Sequence, residues 1–284
     1  MVQIRPVRAQ DLRECARICY SAFHRIATDH GFTPDIPSLE VAEHVMSFLF
    51  HHESVYGVVA EDGDRLLGSN FLDERSPIAA VGPITVDLRE QNRGVGRKLM
   101  EAVLERARDQ DHPGVRLVQA TYHNRSLSLY AGLGFEVREP LATMGGTPIE
   151  QELPGYPVRP AKEKDIEVCA RLCLRVHGHQ RTGEMVDAFA RGTASVVERH
   201  GGITGYTTGL SFLGHTVGET SADVKALIAA ASVFPNPGFL LPTRQADLFR
   251  WCLDQGLRVI QPMTLMSLGL YNEPRGAFLP SVGF

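Results

Sequence analysis

The sequence predicts a mixed α/β fold written twice in one chain. Three observations carry that prediction. Helix-like segments, with apolar residues at helical spacing, alternate with short strand-like runs rich in β-branched residues. A glycine-bearing turn, Gln91-x-x-Gly94-x-Gly96, links one such strand to a helix. The opening segment also recurs near the middle of the chain at a constant offset.

Taken in order, Ile4-Arg5-Pro6 begins a short strand, and a helix capped near Gln10-Asp11 follows. Leu12, Cys15, Ala16, Ile18, Cys19 and Phe23 repeat along one face of that helix. The stretch Ala27–Leu39 carries Gly31, Pro34 and Pro37 and reads as a mobile loop at the rim of a cleft. Ser54–Ala60 and Arg65–Leu72 read as two strands joined by the tight turn Glu61-Asp62-Gly63-Asp64. The run Ala79–Val86 reads as one further strand, and Gly96–Ala107 as a helix. Val115–Thr121 reads as a strand and Arg125–Leu133 as a short helix ended by Gly134. Together these segments give a mixed α/β domain of about 150 residues.

The turn after Val86 has the chemistry of an anion site. Glycines let a bulky anion approach the backbone. The helix start supplies unpaired N–H donors and the positive end of its dipole. Arg93, Arg97 and Lys98 add positive charge nearby. A nucleotide P-loop needs Gly-Lys followed by Ser or Thr, which is absent here. A dinucleotide fingerprint needs a third glycine where this chain has Leu99. The turn resembles instead the acetyl-CoA motif of the GCN5-related N-acetyltransferase (GNAT) family, Gln/Arg-x-x-Gly-x-Gly/Ala after a strand.

A second segment strengthens the resemblance. In His123-Asn124-Arg125-Ser126-Leu127-Ser128-Leu129-Tyr130-Ala131-Gly132-Leu133-Gly134-Phe135, the residues Ser126, Leu129, Tyr130, Gly134 and Phe135 match the second GNAT signature position by position. His123 departs from it, standing where the family usually has asparagine, with Asn124 one step later. The opening Ile4-Arg5 through Asp11 is also similar to the family's start. The resemblance implies two tandem GNAT folds, each a mixed, mostly antiparallel twisted sheet flanked by helices. It implies acetyl transfer from acetyl-CoA to the amine of a small molecule, by direct attack in a ternary complex. Backbone groups of Ile84, Thr85 and Val86 would hold the pantetheine arm. Gln91, Asn92, Arg93, Gly94, Val95, Gly96 and Arg97 would hold the pyrophosphate, and Asn124 would touch the cofactor. Tyr130 would be the acid for the leaving thiolate. A non-catalytic acetyl-CoA sensor, a scaffold, and an enzyme acting on a protein or peptide amine remain alternatives.

The repeat divides the chain into residues 1–152 and 153–284, with the join marked by Leu153-Pro154-Gly155-Tyr156-Pro157. Arg159-Pro160, Asp165 and Cys169-Ala170-Arg171-Leu172-Cys173 align with Arg5-Pro6, Asp11 and Cys15-Ala16-Arg17-Ile18-Cys19 without a gap. Asp247–Val259 echoes the helix that carries Tyr130, but Cys252 stands in the tyrosine's place. The glycine motif is missing from the second copy. Around His215, Glu219 and Asp223 put negative charge where a phosphate would sit. The second copy is therefore expected to wall off the acceptor site and bind no cofactor, with a second site at His215 and Glu219 as the competing reading.

Composition bounds the partners. A formal charge of −4 and the lack of any basic run argue against a nucleic-acid surface. No apolar stretch approaches the roughly 20 residues that span a bilayer, and Met1–Arg5 lacks the apolar core of a secretory signal. The five cysteines read as buried thiols on core helices, not as a metal site, and a cytoplasmic location is expected. No metal is expected, and a homodimer stays open. An amine acceptor must lose a proton before it attacks. Asp73, Glu74, His123, a relaying water and the carboxylate of Phe284 are the candidates to take it. The polar mix of His24, Asp29, His30, Phe32 and Asp35 in and before the 27–39 loop points to a polar, cationic small acceptor.

Overall fold

The computed structural model describes residues 1–283. The first copy runs β1 (Gln3–Pro6), α1 (Leu12–Asp29), α2 (Leu39–His51), β2 (Val55–Asp62), β3 (Arg65–Asp73), β4 (Ala79–Val81), β5 (Thr85–Val86), α3 (Val95–Asp109), β6 (Gly114–Ala120), α4 (Asn124–Ala131) and β7 (Glu136–Gly145). The second repeats that order with one strand in place of β4 and β5: β8 (Val158–Pro160), α5 (Ile166–His177), α6 (Thr182–Ala190), β9 (Ser195–Arg199), β10 (Gly202–Thr207), β11 (Thr216–Gly218), α7 (Ser221–Ala229), β12 (Phe239–Pro242), α8 (Ala246–Asp254) and β13 (Arg258–Gly269). A last strand, β14 (Ala277–Leu279), has no counterpart in the first copy.

The repeat extends to individual hydrogen bonds. Arg5 clamps Asp11 at 2.6 Å and Glu61 at 2.7 Å, and Arg159 clamps Asp165 and Glu198 at 2.6 Å each. Both copies carry a β-bulge at the same point of the second hairpin, between Ala60 and Glu61 and between Ile203 and Gly205. In both, a residue just past the next strand donates to the bulged carbonyl, Asp87 to Leu67 at 2.8 Å and Glu219 to Thr204 at 2.9 Å. These registers make Ser69 equivalent to Tyr206, and Ile84-Thr85-Val86 equivalent to Thr216-Val217-Gly218.

The two copies share one sheet. A nine-stranded sheet runs β1-β2-β3-β4-β6-β13-β7-β12, with β5 also on β3. Strand β13 of the second copy inserts between β6 and β7 of the first, and β7 in turn pairs β12 of the second. The centre is thus a reciprocal exchange of last strands around the antiparallel β7–β13 pair. The remaining strands of the second copy form a five-stranded sheet, β14-β11-β10-β9-β8.

On one face, α3 and α4 pack Leu99, Met100, Val103 and Tyr130 onto Leu67, Leu117 and Met266. On the other, α1 and α2 bury Cys15, Ile18, Cys19 and Met46 against Val59 and Phe71. All five cysteines are free and buried, as expected for core thiols. Beyond the exchange, Leu141, Leu240, Met263 and Leu265 form a core that neither copy makes alone. Among the described residues no helix is long and apolar enough to cross a membrane.

One local expectation changes. The run Ala79–Val86 is not a single strand; it breaks at Gly82-Pro83-Ile84. The first piece pairs β6 in parallel at Ala79↔Val115 and Ala80↔Arg116, and the second pairs only β3. The strands therefore splay apart past Ala80. Gly68 permits this geometry, since a Cβ there would meet the Thr85 carbonyl oxygen at 2.3 Å.

The exchange yields a stability prediction. Residues 1–152 alone would leave both edges of β7 and one edge of β6 unpaired, with an apolar face bared. The isolated fragment should show no cooperative thermal transition, while the whole chain should melt in one. A fragment melting cooperatively near the whole chain's temperature would show that the pairing is dispensable.

Candidate functional site

The splay between β5 and β6 opens beside the glycine turn. Asn92 and Gly94 both take left-handed backbone angles, with φ of 64° and 81°. Gly94 is the N-cap of α3 and no side chain caps the helix. The first N–H groups of α3 are thus left to an external acceptor. Nothing lies within 4 Å of where a Gly94 Cβ would be, so the approach is open. Gly96 sits against Leu129 and Val86, where a Cβ would make ordinary contacts, and Val95 is core. The Gln91 side chain reaches back to the Val86 carbonyl at 3.4 Å.

The charges near the turn are less free than the sequence implies. Arg93 donates to the buried Glu90 at 3.1 Å, and Arg65 also binds that carboxylate. Arg97 faces Glu101 at 3.8 Å, and Lys98 reaches the Val2 carbonyl at 3.4 Å.

Next to the turn lies a cleft of about 680 Å³ lined by Ile26, Asp29, His30, Asn92, His123, Asn124, Arg125, Ser128 and Leu129. Two of the expected cofactor residues, Asn92 and Asn124, therefore share a wall. Thr85 is buried with its hydroxyl 3.3 Å from that of Ser69, whereas Ile84 and Val86 are half-buried at the splay. His123 bonds the Ser126 hydroxyl through Nδ1 at 2.6 Å. Burial, with Arg125 and His30 nearby, pushes its imidazole down to about 4, so the ring is neutral near pH 7. Tyr130 is not on the cleft wall. It lies beneath it, 5 % exposed, against Phe135. Burial pushes its phenol up to about 12, opposed by a hydrogen bond from Ser126.

Asp73 and Glu74 do not reach the cleft. Asp73 sits at the far end of β3 and is held by Arg75 at 2.5 Å. Glu74 is held by Arg106 at 3.0 Å. Arg75 continues to Asp187 of α6 at 2.7 Å, so this cluster ties the copies together. The carboxylate of Phe284 lies outside the described residues.

The rim loop is pinned at three points that the sequence does not reveal. Ile36 is buried in the α1–α2 core. Phe32 stacks on Tyr122, centroids 4.4 Å apart and planes within 8°. Asp35 accepts a hydrogen bond from Gln261 of β13, whose own carbonyl accepts from Tyr122 at 3.2 Å. A strand of the second copy thus reaches the rim of the first copy's cleft. Desolvation, only partly offset by Gln261, pushes the Asp35 carboxyl up to about 6.

The second copy treats its corresponding region differently. Thr216, Val217 and Gly218, the equivalents of Ile84, Thr85 and Val86, pair with Leu279, Phe278 and Ala277 of β14. The chain's own last strand lies along the edge that is open in the first copy. The start of α7 is also closed, because Asp223 accepts from the Thr220 backbone N–H at 2.9 Å and its hydroxyl at 2.6 Å. His215 does not meet Glu219. It is buried between the Tyr206 hydroxyl at 2.9 Å and Glu184 at 3.1 Å, while Glu219 pairs with Arg175 at 2.9 Å. Cys252, in the place of Tyr130, is buried core.

Residues 16–135 match the family model described as the acetyltransferase (GNAT) family. No curated protein matches the sequence. Solved structures match nearly end to end. A Pyrococcus horikoshii protein described as an acetyltransferase has a TM-score of 0.74 at 15% identity, over 97% of this chain and 94% of that one. A GCN5-related N-acetyltransferase from Sphaerobacter thermophilus has a TM-score of 0.63 at 15% identity, over 96% of each. A tandem GNAT protein from the clavulanic acid biosynthesis pathway has a TM-score of 0.57 at 13% identity, over 95% and 98%. At such identities the likeness is one of fold. The family match lies within the first copy, and the full-length likenesses carry the fold across both.

Asp35 gives a testable sign. Its carboxyl is a weaker acid in the fold, at about 6, than at its ordinary 3.8. Between those values the unfolded chain binds fewer protons, so this residue's contribution to stability falls as pH rises through the window and stays low above it. Asp35→Asn should therefore stabilise the protein at about pH 7.5 by on the order of 2 kcal/mol, with the gain gone near about pH 4. Urea melts at the two pH values measure this. A less stable variant at the higher pH would contradict it.

Proposed function

We propose that this chain is a tandem GNAT acetyltransferase, which moves the acetyl group of acetyl-CoA to an amine of a small molecule by direct attack in a ternary complex at the first copy. The second copy binds no cofactor and completes the acceptor side. One observation carries this reading. The strand edge Ile84–Val86 is open in the first copy, and its equivalent Thr216–Gly218 is covered by β14 in the second.

The residues present fit such a donor. An uncapped helix start behind Gly94, with the left-handed Asn92 beside it, suits a pyrophosphate. The free edge at Ile84–Val86 suits an arm that hydrogen-bonds like a strand, and Asn92 and Asn124 suit its polar flanks. Bound acetyl-CoA supplies an acyl group activated as a thioester. The amine nitrogen bonds to the thioester carbonyl carbon, the C–S bond breaks, the nitrogen loses a proton and the sulfur gains one. Main-chain donors at the splay offset charge on the carbonyl oxygen. Asp73 and Glu74 are committed to arginines, so the amine's proton leaves through water at the cleft. Neutral His123 is a hydrogen-bonding wall and a weak base.

Tyr130 serves the leaving sulfur. A phenol raised to about 12 stays protonated and so can donate. A phenol can give its proton to an alkyl thiolate at modest cost.

Two substitutions test the reading with acetyl-CoA and a panel of primary amines. Gly94→Asp places a carboxylate and a strained left-handed residue at the anion site, and should weaken acetyl-CoA binding at least about tenfold. Tyr130→Phe should lower kcat by about 10²-fold and leave that binding unchanged. Unchanged turnover in Tyr130→Phe would remove the acid role. Unchanged binding in Gly94→Asp would remove the anion site.

A further inference from the structure

The buried carboxylates of this protein are matched to arginines, and the half-buried Asp35 of the rim loop is not. Asp11, Asp87, Glu90, Glu139, Asp165 and Glu184 each face an arginine, at 3.1 Å or closer. Even Asp223, capped within its own helix, has Arg199 at 3.6 Å. Asp35 is half-buried, with its carboxyl raised by desolvation, yet among the described residues its one hydrogen-bond partner is the neutral amide of Gln261.

The partner is itself oriented. Tyr122 donates to the Gln261 carbonyl, which fixes the amide so that its N–H group points at Asp35 Oδ1. Among the described residues no hydrogen bond or ion pair reaches the second carboxylate oxygen. Beside it stand the stacked rings of Phe32 and Tyr122, with the His30 ring 5.3 Å from Tyr122. His30 and the neighbouring His123 line the cleft. The nearest arginine along α1, Arg25, is held by Asp29 at 2.7 Å, so it does not fill the place.

We propose that Asp35 is the anchor for the acceptor, and that the acceptor enters as a small organic cation whose ammonium group sits on this carboxylate beside Phe32 and Tyr122. The inference rests on the acetyltransferase reading above and names the substrate class for the same site. An ammonium group brings the charge that the arginines supply elsewhere, a charge-assisted donor for the free oxygen, and attraction to the ring faces. A hydroxyl brings one donor and no charge. Because Gln261 belongs to β13, the anchor is assembled by both copies, and the first alone would hold Asp35 without its partner.

The test uses the full-length protein saturated with acetyl-CoA, with thiol release as the signal and primary alkylamines and diamines as acceptors. Asp35→Asn should raise KM for the amine about 10-fold or more, leaving kcat and acetyl-CoA affinity near the wild-type values. Asp35→Glu, which returns the charge, should recover affinity. Choline should inhibit competitively against the amine in the wild type, and its neutral isostere 3,3-dimethylbutan-1-ol should not. Equal inhibition by the two, an unchanged KM in Asp35→Asn, or no turnover of any amine while acetyl-CoA still binds would each overturn the anchor. Absence of acetyl-CoA binding, read by calorimetry, would overturn the acetyltransferase reading beneath it.

Discussion

The antiparallel pairing of β7 with β13 is the constraint on which the rest of this molecule depends. Each strand is the last of its copy's repeated elements, and each lies in the other copy's sheet. Buried on both faces over 141–145 and 263–267 and paired on both edges, they cannot leave without exposing two cores. That pairing brings Gln261 to the rim of the first copy's cleft and β12 to the far edge of the same sheet. It also carries the chain back through 270–276 to the point where β14 can enter the second sheet. A strand of the second copy is therefore a structural part of the rim of the first copy's cleft.

Two copies with one topology meet two fates at one strand edge. The equivalence is tight: the same arginine clamp, the same bulge, the same hydrogen bond after it. An edge strand with free backbone groups must be paired or solvated. In the second copy the chain pairs it with its own residues and caps the adjoining helix with Asp223. In the first, neither device is present, and Gly94 keeps the helix start bare. The two edges differ by three residues of β14 and one aspartate.

Local chemistry was legible in the sequence. The glycine turn, the helix carrying Tyr130 and the repeated opening depend on residues close in the chain, so their spacing reports them. The break at Gly82-Pro83 was harder, because Ala79–Val86 is apolar throughout and only the splay reveals that it pairs two different neighbours. The exchange of β7 and β13 leaves no local trace, since an apolar strand reads alike whichever copy covers it. Strand β14 is too short for a periodic signal. Asp73 and Glu74 drew attention as acids near a strand end, but their arginines come from two residues away and from α3. Asp35 was visible only as one polar residue in a loop. What sets it apart is the desolvation and the neutral partner that the fold gives it.

The measurement that bears most directly on this account is a calorimetric titration of the full-length chain with acetyl-CoA, read for stoichiometry. One site per chain is the predicted result, with the Ile84–Val86 edge filled and the Thr216–Gly218 edge closed by β14. Two sites per chain would contradict it, because the second copy could then bind only by releasing its own strand.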